Sequence, residues 1–221
     1  MLDVLISIPQ NDLAPKPRRI FVELRSDLLS GNLRPGNRLS LRPLAKRFEV
    51  GINTVAMALR ALESEGFVEF EAGVGARVSV RDLAMIRSDF ILRMALETEV
   101  VRQCAARFSE SHARLLGQLA DAADDLAKDE DLDAAREADQ RFHLTLARLA
   151  EVPSLERALG TLLLRLVVLE HGDSSSREGN PLTHRNIVEA LGKSESKAIS
   201  AIREHILDAQ EWAIGQHLSE S

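Results

Sequence analysis

Apolar residues recur every three or four positions through the first third of the chain, which is the spacing of amphipathic helices. This pattern predicts a first helix over residues 18–30, which Gly31 ends. Ser40 is a favourable N-cap for a second helix, LRPLAKRF, over residues 41–48. A third helix is predicted over residues 53–66, so the chain begins with three short helices.

The segment after the third helix alternates apolar and polar residues. Residues 67–70 and 76–80 show this alternation, and Gly73 and Gly75 lie between them. We therefore predict a β-hairpin with a glycine-rich tip. Three helices followed by a two-stranded wing form a winged helix-turn-helix domain over residues 18–80, and such domains place the third helix in the major groove of DNA. A winged helix that binds protein, or is purely structural, is the alternative.

Beyond this domain the pattern is almost entirely helical. We predict an all-helical bundle of six or seven helices over residues 81–221, which makes the chain mainly α. Residues 1–17, at the other end, include a polar, proline-rich stretch, and we expect them to form an irregular arm. The predicted bundle helices span residues 82–108 (with a break near Ser88), 110–128, 131–150, 153–171, 181–192 and 195–217.

Charge is unevenly distributed along the 221 residues, whose net charge is −6. Residues 1–80 contain 11 Lys/Arg and 9 Asp/Glu, whereas residues 81–221 contain 17 and 25. Residues 34–47 contain five basic residues and no acid, which is the composition of a phosphate-contacting patch. An ordinary solvated surface is the alternative for these charges. The distribution favours a small DNA-reading module joined to a domain with another task.

No segment has the features of a signal peptide or a membrane span. The opening MLDVLISIP lacks a basic region, and its apolar run is short. The longest apolar run, LGTLLLRLVVLEH, is interrupted by Arg165 and is shorter than the ~20 residues of a transmembrane helix. We therefore expect a soluble, cytoplasmic protein with no membrane partner. Cys104 is the single cysteine, which excludes an intrachain disulfide and a cysteine-rich metal site.

Three pieces of the front part, GNLRPGNRL, TVAMALRALESEGFV and AGVGARV, occur in an order and at distances that resemble the GntR family of bacterial transcription regulators. The resemblance covers residues 18–80 and implies binding of double-stranded operator DNA. Arg42 matches a DNA-contacting arginine of the family. Ile52 and Ala56 stand where members with a helical effector domain usually carry base-reading arginines, so the resemblance does not imply a particular operator sequence.

The start of the third helix offers other contacts to bases. Asn53 and Thr54 resemble this position in other branches of the family. Asparagine can bind adenine through two hydrogen bonds, and threonine can contact a thymine methyl group. Alternatively, Asn53 is only a helix cap. The predicted DNA-binding residues are Arg38, Arg42, Lys46, Asn53, Thr54, Arg60, Gly73 and Gly75.

One acid and three histidines are predicted to point into the core of the bundle. Asp139 and His143 are four positions apart and therefore lie on one helix face. His184 and His205 stand beside the apolar stripes of two later helices. Three imidazoles and a carboxylate from three helices suit a divalent transition metal. Each histidine is alternatively a hydrogen-bonded core residue, and Asp139 is alternatively a solvent-facing charge.

The helical part resembles the FCD effector domain of GntR regulators. The segments LRMALETEVVRQCAARF, DQRFH, THRNIVEAL and REHI carry this resemblance, which covers about residues 82–217. It implies that the acid and the three histidines ligate a divalent metal ion, with zinc as the first choice and nickel or manganese as alternatives. Thr183 departs from the family pattern, because an acid usually precedes the first of the later histidines.

The resemblance also implies a small carboxylate effector and a homodimer. Arg93 matches a frequent arginine of the first long helix, where it can hold the effector, although a salt bridge with Glu97 one turn along is the alternative. The dimer must present its recognition helices about 34 Å apart on the operator. We expect a ligand-responsive repressor or activator rather than an enzyme. A metal-dependent hydrolase, for which HExxH and GxSxG motifs are absent, and a regulator with a purely structural metal are the alternatives.

Overall fold

The computed structural model describes residues 13–71, 75–128, 132–169 and 184–219. Contacts divide the chain into two compact units. Among the described residues, the first unit contains 13–71, 75–81 and 163–169, and the second contains 82–128, 132–162 and 184–219. This division differs from the expected one by assigning residues 163–169 to the first unit. The predicted fold class is confirmed, because helices dominate the described residues and a small sheet occurs only in the first unit.

The first unit has the predicted winged helix-turn-helix architecture. Its elements are α1 (Pro15–Leu29), β1 (Arg38–Leu39), α2 (Leu41–Phe48), α3 (Ile52–Ser64), β2 (Val68–Glu71) and β3 (Gly75–Val78). The three strands are antiparallel in the order β1-β3-β2, with Arg38 opposite Arg77 and Phe70 opposite Ala76. Strand β1 was not predicted, because two residues are too few to show an alternation.

Helix α1 begins at Pro15, so the prediction of an irregular arm through residue 17 is wrong for its last three residues. Proline is tolerated in the first turn because the N–H groups there have no partner within the helix. Residues 1–12, the rest of the expected arm, lie outside the described residues. Ser40 occupies the predicted N-cap of α2, although its side chain makes no capping hydrogen bond.

The core of the first unit lies between α1, α3 and the sheet. Leu59, which is fully buried on α3, illustrates its energetics: burying a leucine side chain stabilises a fold by about 1.5–3 kcal/mol. One ion pair is buried with these side chains, between Arg25 on α1 and Glu65 at the end of α3. The largest buried apolar residues of this unit include Ile20, Phe21, Leu24, Leu28, Leu59, Leu62 and Phe67.

The helices of the second unit follow the predicted pattern closely. The described helices from residue 83 onward are α4 (Leu83–Ala105), α5 (Glu110–Lys128), α6 (Leu132–Leu149), α7 (Pro153–Leu169), α8 (His184–Leu191) and α9 (Glu195–Ser219). Helix α4 is continuous through the exposed Ser88, so the predicted break there is wrong. A single exposed serine costs little helix propensity, and the neighbouring Ile86 and Phe90 are buried. Asp82 caps the start of α4 by accepting a hydrogen bond from the Met85 N–H.

Five of these helices surround one interior. Helix α9 packs along α4, α5 packs along α6, and α8 packs against both α5 and α9. Phe142 on α6, Ile187 on α8 and Ile202 on α9 fill this interior with apolar side chains. Asp139, His143, His184 and His205 form a polar cluster in the same interior, so water has little access to it.

Candidate metal centre and nucleic-acid interface

Four potential metal ligands converge inside the second unit. Helix α6 contributes Asp139 and His143 from successive turns, α8 contributes His184 from its first turn, and α9 contributes His205. One ligand atom of each residue lies within 4.8 Å of the corresponding atoms of the other three. The three histidines are buried, and His143 is 0% exposed.

The convergent atoms are three Nε2 nitrogens and one carboxylate oxygen. The Nε2 atoms of His143 and His205 are 3.0 Å apart. Asp139 Oδ1 lies 3.0 Å from Nε2 of His184, 3.6 Å from that of His143 and 3.8 Å from that of His205. A tetrahedral ion with bonds of about 2.0–2.1 Å holds its ligand atoms about 3.3 Å apart. The donor types and separations therefore fit a divalent ion after small side-chain shifts.

Two carboxylates hold the outer edges of the imidazole rings. Glu97 on α4 accepts a hydrogen bond from Nδ1 of His143 at 2.5 Å. Asp124 on α5 accepts from Nδ1 of His184 at 3.0 Å and from its backbone N–H at 3.2 Å. With Nδ1 as the donor, the Nε2 lone pair of a neutral ring is available at the centre, as a metal ligand requires. The sequence did not reveal either role, because each carboxylate comes from another helix than its histidine.

Arg93 on α4 contacts both Glu97 and the histidine cluster. Its Nε donates to Glu97 at 2.6 Å, which is the salt bridge predicted as the alternative. Its Nη2 lies 3.0 Å from Nε2 of His143. Since a guanidinium only donates hydrogen bonds, that Nε2 accepts. Arg93 therefore places a positive charge beside the cluster.

Charged neighbours shift the pKa values of Glu97 and His184 in opposite directions. Although burial acts in the opposite direction, contacts with His143 and Arg93 lower the pKa of Glu97 to about 2. Burial would also lower the pKa of His184, but hydrogen bonds to Asp124 and Asp139 raise it to about 9.

Asp139 and His205 differ from Glu97 and His184 in the causes of their pKa shifts. The pKa of Asp139 is well below its usual value, because His143 and His184 outweigh the effect of burial. Burial and the neighbouring His184 and His143 lower the pKa of His205 well below that of a free imidazole. The Nδ1 of His205 is buried and has no hydrogen-bond partner among the described residues. Without a metal, the cluster thus holds a neutral His205 and a protonated His184.

The first unit carries most of the residues predicted to bind DNA on its exposed surface. Arg38, Arg42 and Lys46 are exposed, and none forms an ion pair with another described residue. Arg60 differs, because it pairs with Glu63 at 2.6 Å and lies over the ring of Phe70. The hydrogen bond from Arg60 is the largest effect that lowers the pKa of Glu63. The guanidinium of Arg60 is thus already engaged within the unit.

The recognition helix begins one residue earlier than predicted. Its N-cap is Gly51, so the alternative of Asn53 as a helix cap is wrong. Asn53 is instead an exposed residue of the first turn, and Thr54 beside it is half-buried. Both residues lie in the first turn of the helix that winged helix-turn-helix domains place in the major groove.

Of the two glycines predicted to contact DNA from the wing, the structure describes Gly75. Gly75 has φ +131°, and a Cβ there would lie 2.6 Å from the backbone oxygen of Leu39. This close approach of β1 to β3 is a structural reason for the glycine, independent of DNA. Gly73 lies outside the described residues, as does Thr183.

Among the helices that the structure describes, none combines the length and the apolar composition that a membrane span requires.

Family models match both units. The model for bacterial regulatory proteins of the gntR family matches residues 16–78, and the FCD domain model matches residues 90–208. The HTH-type transcriptional repressor RspR of Escherichia coli K12 is 27% identical over 215 residues, which cover 95% of this chain and 89% of RspR. BphR of Paraburkholderia xenovorans, an uncharacterised HTH-type regulator, is 37% identical over 83 residues, 38% of this chain and 34% of BphR.

Two solved structures share the fold. The structure of E. coli McbR/YncC superposes with a TM-score of 0.72 at 18% identity, covering 93% of this chain and 100% of that one. A regulator of Rhodococcus sp. RHA1 superposes with a TM-score of 0.73 at 24% identity, covering 91% and 99%. The matched families and relatives are regulators, which sets aside the hydrolase hypothesis. The chain belongs to the GntR family of bacterial regulatory proteins and is a DNA-binding transcription regulator with an FCD domain.

Proposed function

We propose that the second unit binds a divalent metal ion and a small carboxylate effector, and that this binding alters operator affinity. The observation that carries the proposal is the convergence of three histidine Nε2 atoms and a carboxylate oxygen within 4.8 Å in a buried interior. The metal ligands would be Asp139, His143, His184 and His205. Zinc is the first choice for this donor set, with nickel or manganese as alternatives.

The position of Arg93 supports an anionic effector. An ion bound at His143 would take the Nε2 lone pair that Arg93 now contacts at 3.0 Å. A carboxylate on the effector can then bind the ion and accept a hydrogen bond from this guanidinium at the same time. A regulator with a purely structural metal is the second candidate, favoured by the burial of the site. It predicts stabilisation by the metal without a response to carboxylates.

For the first unit, we propose that Arg38, Arg42 and Lys46 contact DNA phosphates and that Asn53 and Thr54 contact bases. Arg60, Gly73 and Gly75 were predicted in the same role. We propose a smaller contribution of Arg60 to DNA binding, because its guanidinium already contacts Glu63 and the ring of Phe70. A homodimer would present two such units to an operator with half-sites about 34 Å apart. Ligand binding regulates DNA affinity only if the effector prefers one of two dimer conformations.

Metal content tests the proposal directly. We expect elemental analysis of the purified protein, loaded with zinc and then desalted, to find about one ion per chain. We expect His143→Ala and His205→Ala to lose it, while His217→Ala, on the same helix as His205 but outside the cluster, keeps it. Retention of the ion by both cluster variants would contradict the proposed site.

Thermal unfolding of the zinc-loaded protein with a panel of small carboxylates separates the two candidates. An effector site predicts that at least one acid raises the melting temperature and changes DNA affinity in a gel shift, and that Arg93→Ala abolishes both responses. Destabilisation by a chelator without any response to acids would favour a structural metal.

A further inference from the structure

The recognition helix presents large apolar side chains to solvent. Its buried stripe leaves the opposite face exposed, and on the exposed surface Ile52 and Met57 retain 44% and 49% of their accessible area. Met57 lies one turn beyond the exposed Asn53, and Ile52 occupies the first helical position. These side chains thus lie on the part of α3 that enters the major groove in winged helix-turn-helix domains.

The same helix offers no free guanidinium to bases. Arg60 is its only basic residue, and Glu63 and Phe70 already hold that side chain. Arginine bound to guanine O6 and N7 is the commonest specific contact in the major groove, whereas apolar side chains contact the C5-methyl group of thymine. The exposed chemistry of the first two turns of α3 therefore suits thymine methyls and not guanine.

Basic residues beside this apolar surface are available to bind DNA phosphates. Arg42 and Lys46 on α2 are exposed and form no ion pair with other described residues, so they can neutralise phosphates beside the helix. Phosphate contacts supply affinity without sequence information, which leaves discrimination between bases to α3.

We propose that Ile52 and Met57 recognise the operator through thymine C5-methyl groups, while Asn53 between them reads an adenine. The inference rests on the proposed binding of DNA bases by the start of α3, and it names the bases that this helix reads. It predicts operator half-sites rich in A·T pairs at the positions that face α3.

Deoxyuridine substitution tests the proposal, because deoxyuridine pairs like thymidine and lacks only the methyl group. An operator is first selected from a random duplex library with the full chain, and each thymidine is then replaced in turn. At the positions that face α3 we expect a loss of about fourfold in affinity per methyl contact, the equivalent of one buried carbon. Ile52→Ala and Met57→Ala should each weaken binding to the thymidine operator and remove the penalty at one position.

Arg42→Ala is the matched control, since loss of a phosphate contact should weaken binding to both operators equally and preserve the penalty. Thermal unfolding of the two α3 variants should match that of the parent protein, because both side chains are exposed. If selected operators bind but every deoxyuridine penalty is absent or survives in both variants, the inference fails alone. If no duplex is enriched, base recognition by α3 fails and takes the inference with it.

Discussion

Metal binding at the cluster should release a proton from His184. In the metal-free protein its Nδ1 lies 3.0 Å from Asp124 and its Nε2 lies 3.0 Å from Asp139, so both nitrogens face carboxylates. These contacts raise the pKa of His184 to about 9 despite its burial. A metal can bind Nε2 only after the proton on that nitrogen has left.

The magnitude follows from the pKa. Below pH 9 the metal competes with one proton, so its apparent affinity should rise about tenfold per pH unit. Between pH 6 and pH 8 the gain is about 100-fold, or about 2.7 kcal/mol. Asp139 and His205 should add no further proton, because the pKa of Asp139 is well below its usual value and that of His205 is well below that of a free imidazole.

The substitution Asp124→Asn tests whether the pKa of His184 sets this pH dependence of metal affinity. The substitution keeps an oxygen for Nδ1 of His184 but removes the negative charge, so the pKa of His184 should fall. The affinity gain between pH 6 and pH 8 should then shrink. Asp121→Asn is the matched control on the same helix, because Asp121 pairs with Arg185 at the surface, 3.4 Å away, and does not contact the cluster.

Chelator competition at several pH values measures the slope, and calorimetry in two buffers of different ionisation enthalpy counts the released protons. We expect about one proton at pH 7 for the parent protein and for Asp121→Asn, and fewer for Asp124→Asn. An affinity independent of pH between 6 and 8 would refute the proposed protonation of His184. Equal effects of the two substitutions would show that general charge, and not the Asp124 contact, sets the slope.

Three further predictions concern the first unit. Burial outweighs Arg25 and raises the pKa of Glu65 to about 7, above its unfolded value of 4.5, so this group should cost stability as the pH rises from about 4.5 through 7. The cost should reach about 3 kcal/mol in urea unfolding of the parent protein and should be absent in Glu65→Gln. Arg42→Ala should weaken operator binding in a gel-shift titration and reduce the slope of log affinity against log salt by about one, and an unchanged slope would exclude a phosphate contact. Leu59→Ala should cost about 2–5 kcal/mol of unfolding free energy, because the side chain is fully buried, whereas a loss below 1 kcal/mol would contradict its place in the core.

The sequence alone determined the helices and the chemistry that they bring inward. Periodicity is a local property, so the spacing of apolar residues predicted the long helices to within a few residues at their ends. The four-residue separation of Asp139 and His143 required that they share a helix face. The structure brings these two residues together with His184 and His205, as the sequence predicted for all four.

Only the tertiary structure decided which groups surround those side chains. Glu97 and Asp124 contact His143 and His184 from other helices, 46 and 60 positions away in the chain. No local pattern encodes such distances, because they depend on how helices pack. The position of Arg60 over Phe70 is decided in the same way, by the approach of β2 to α3. Sequence spacing specifies which residues share a face, whereas packing between elements specifies what that face meets.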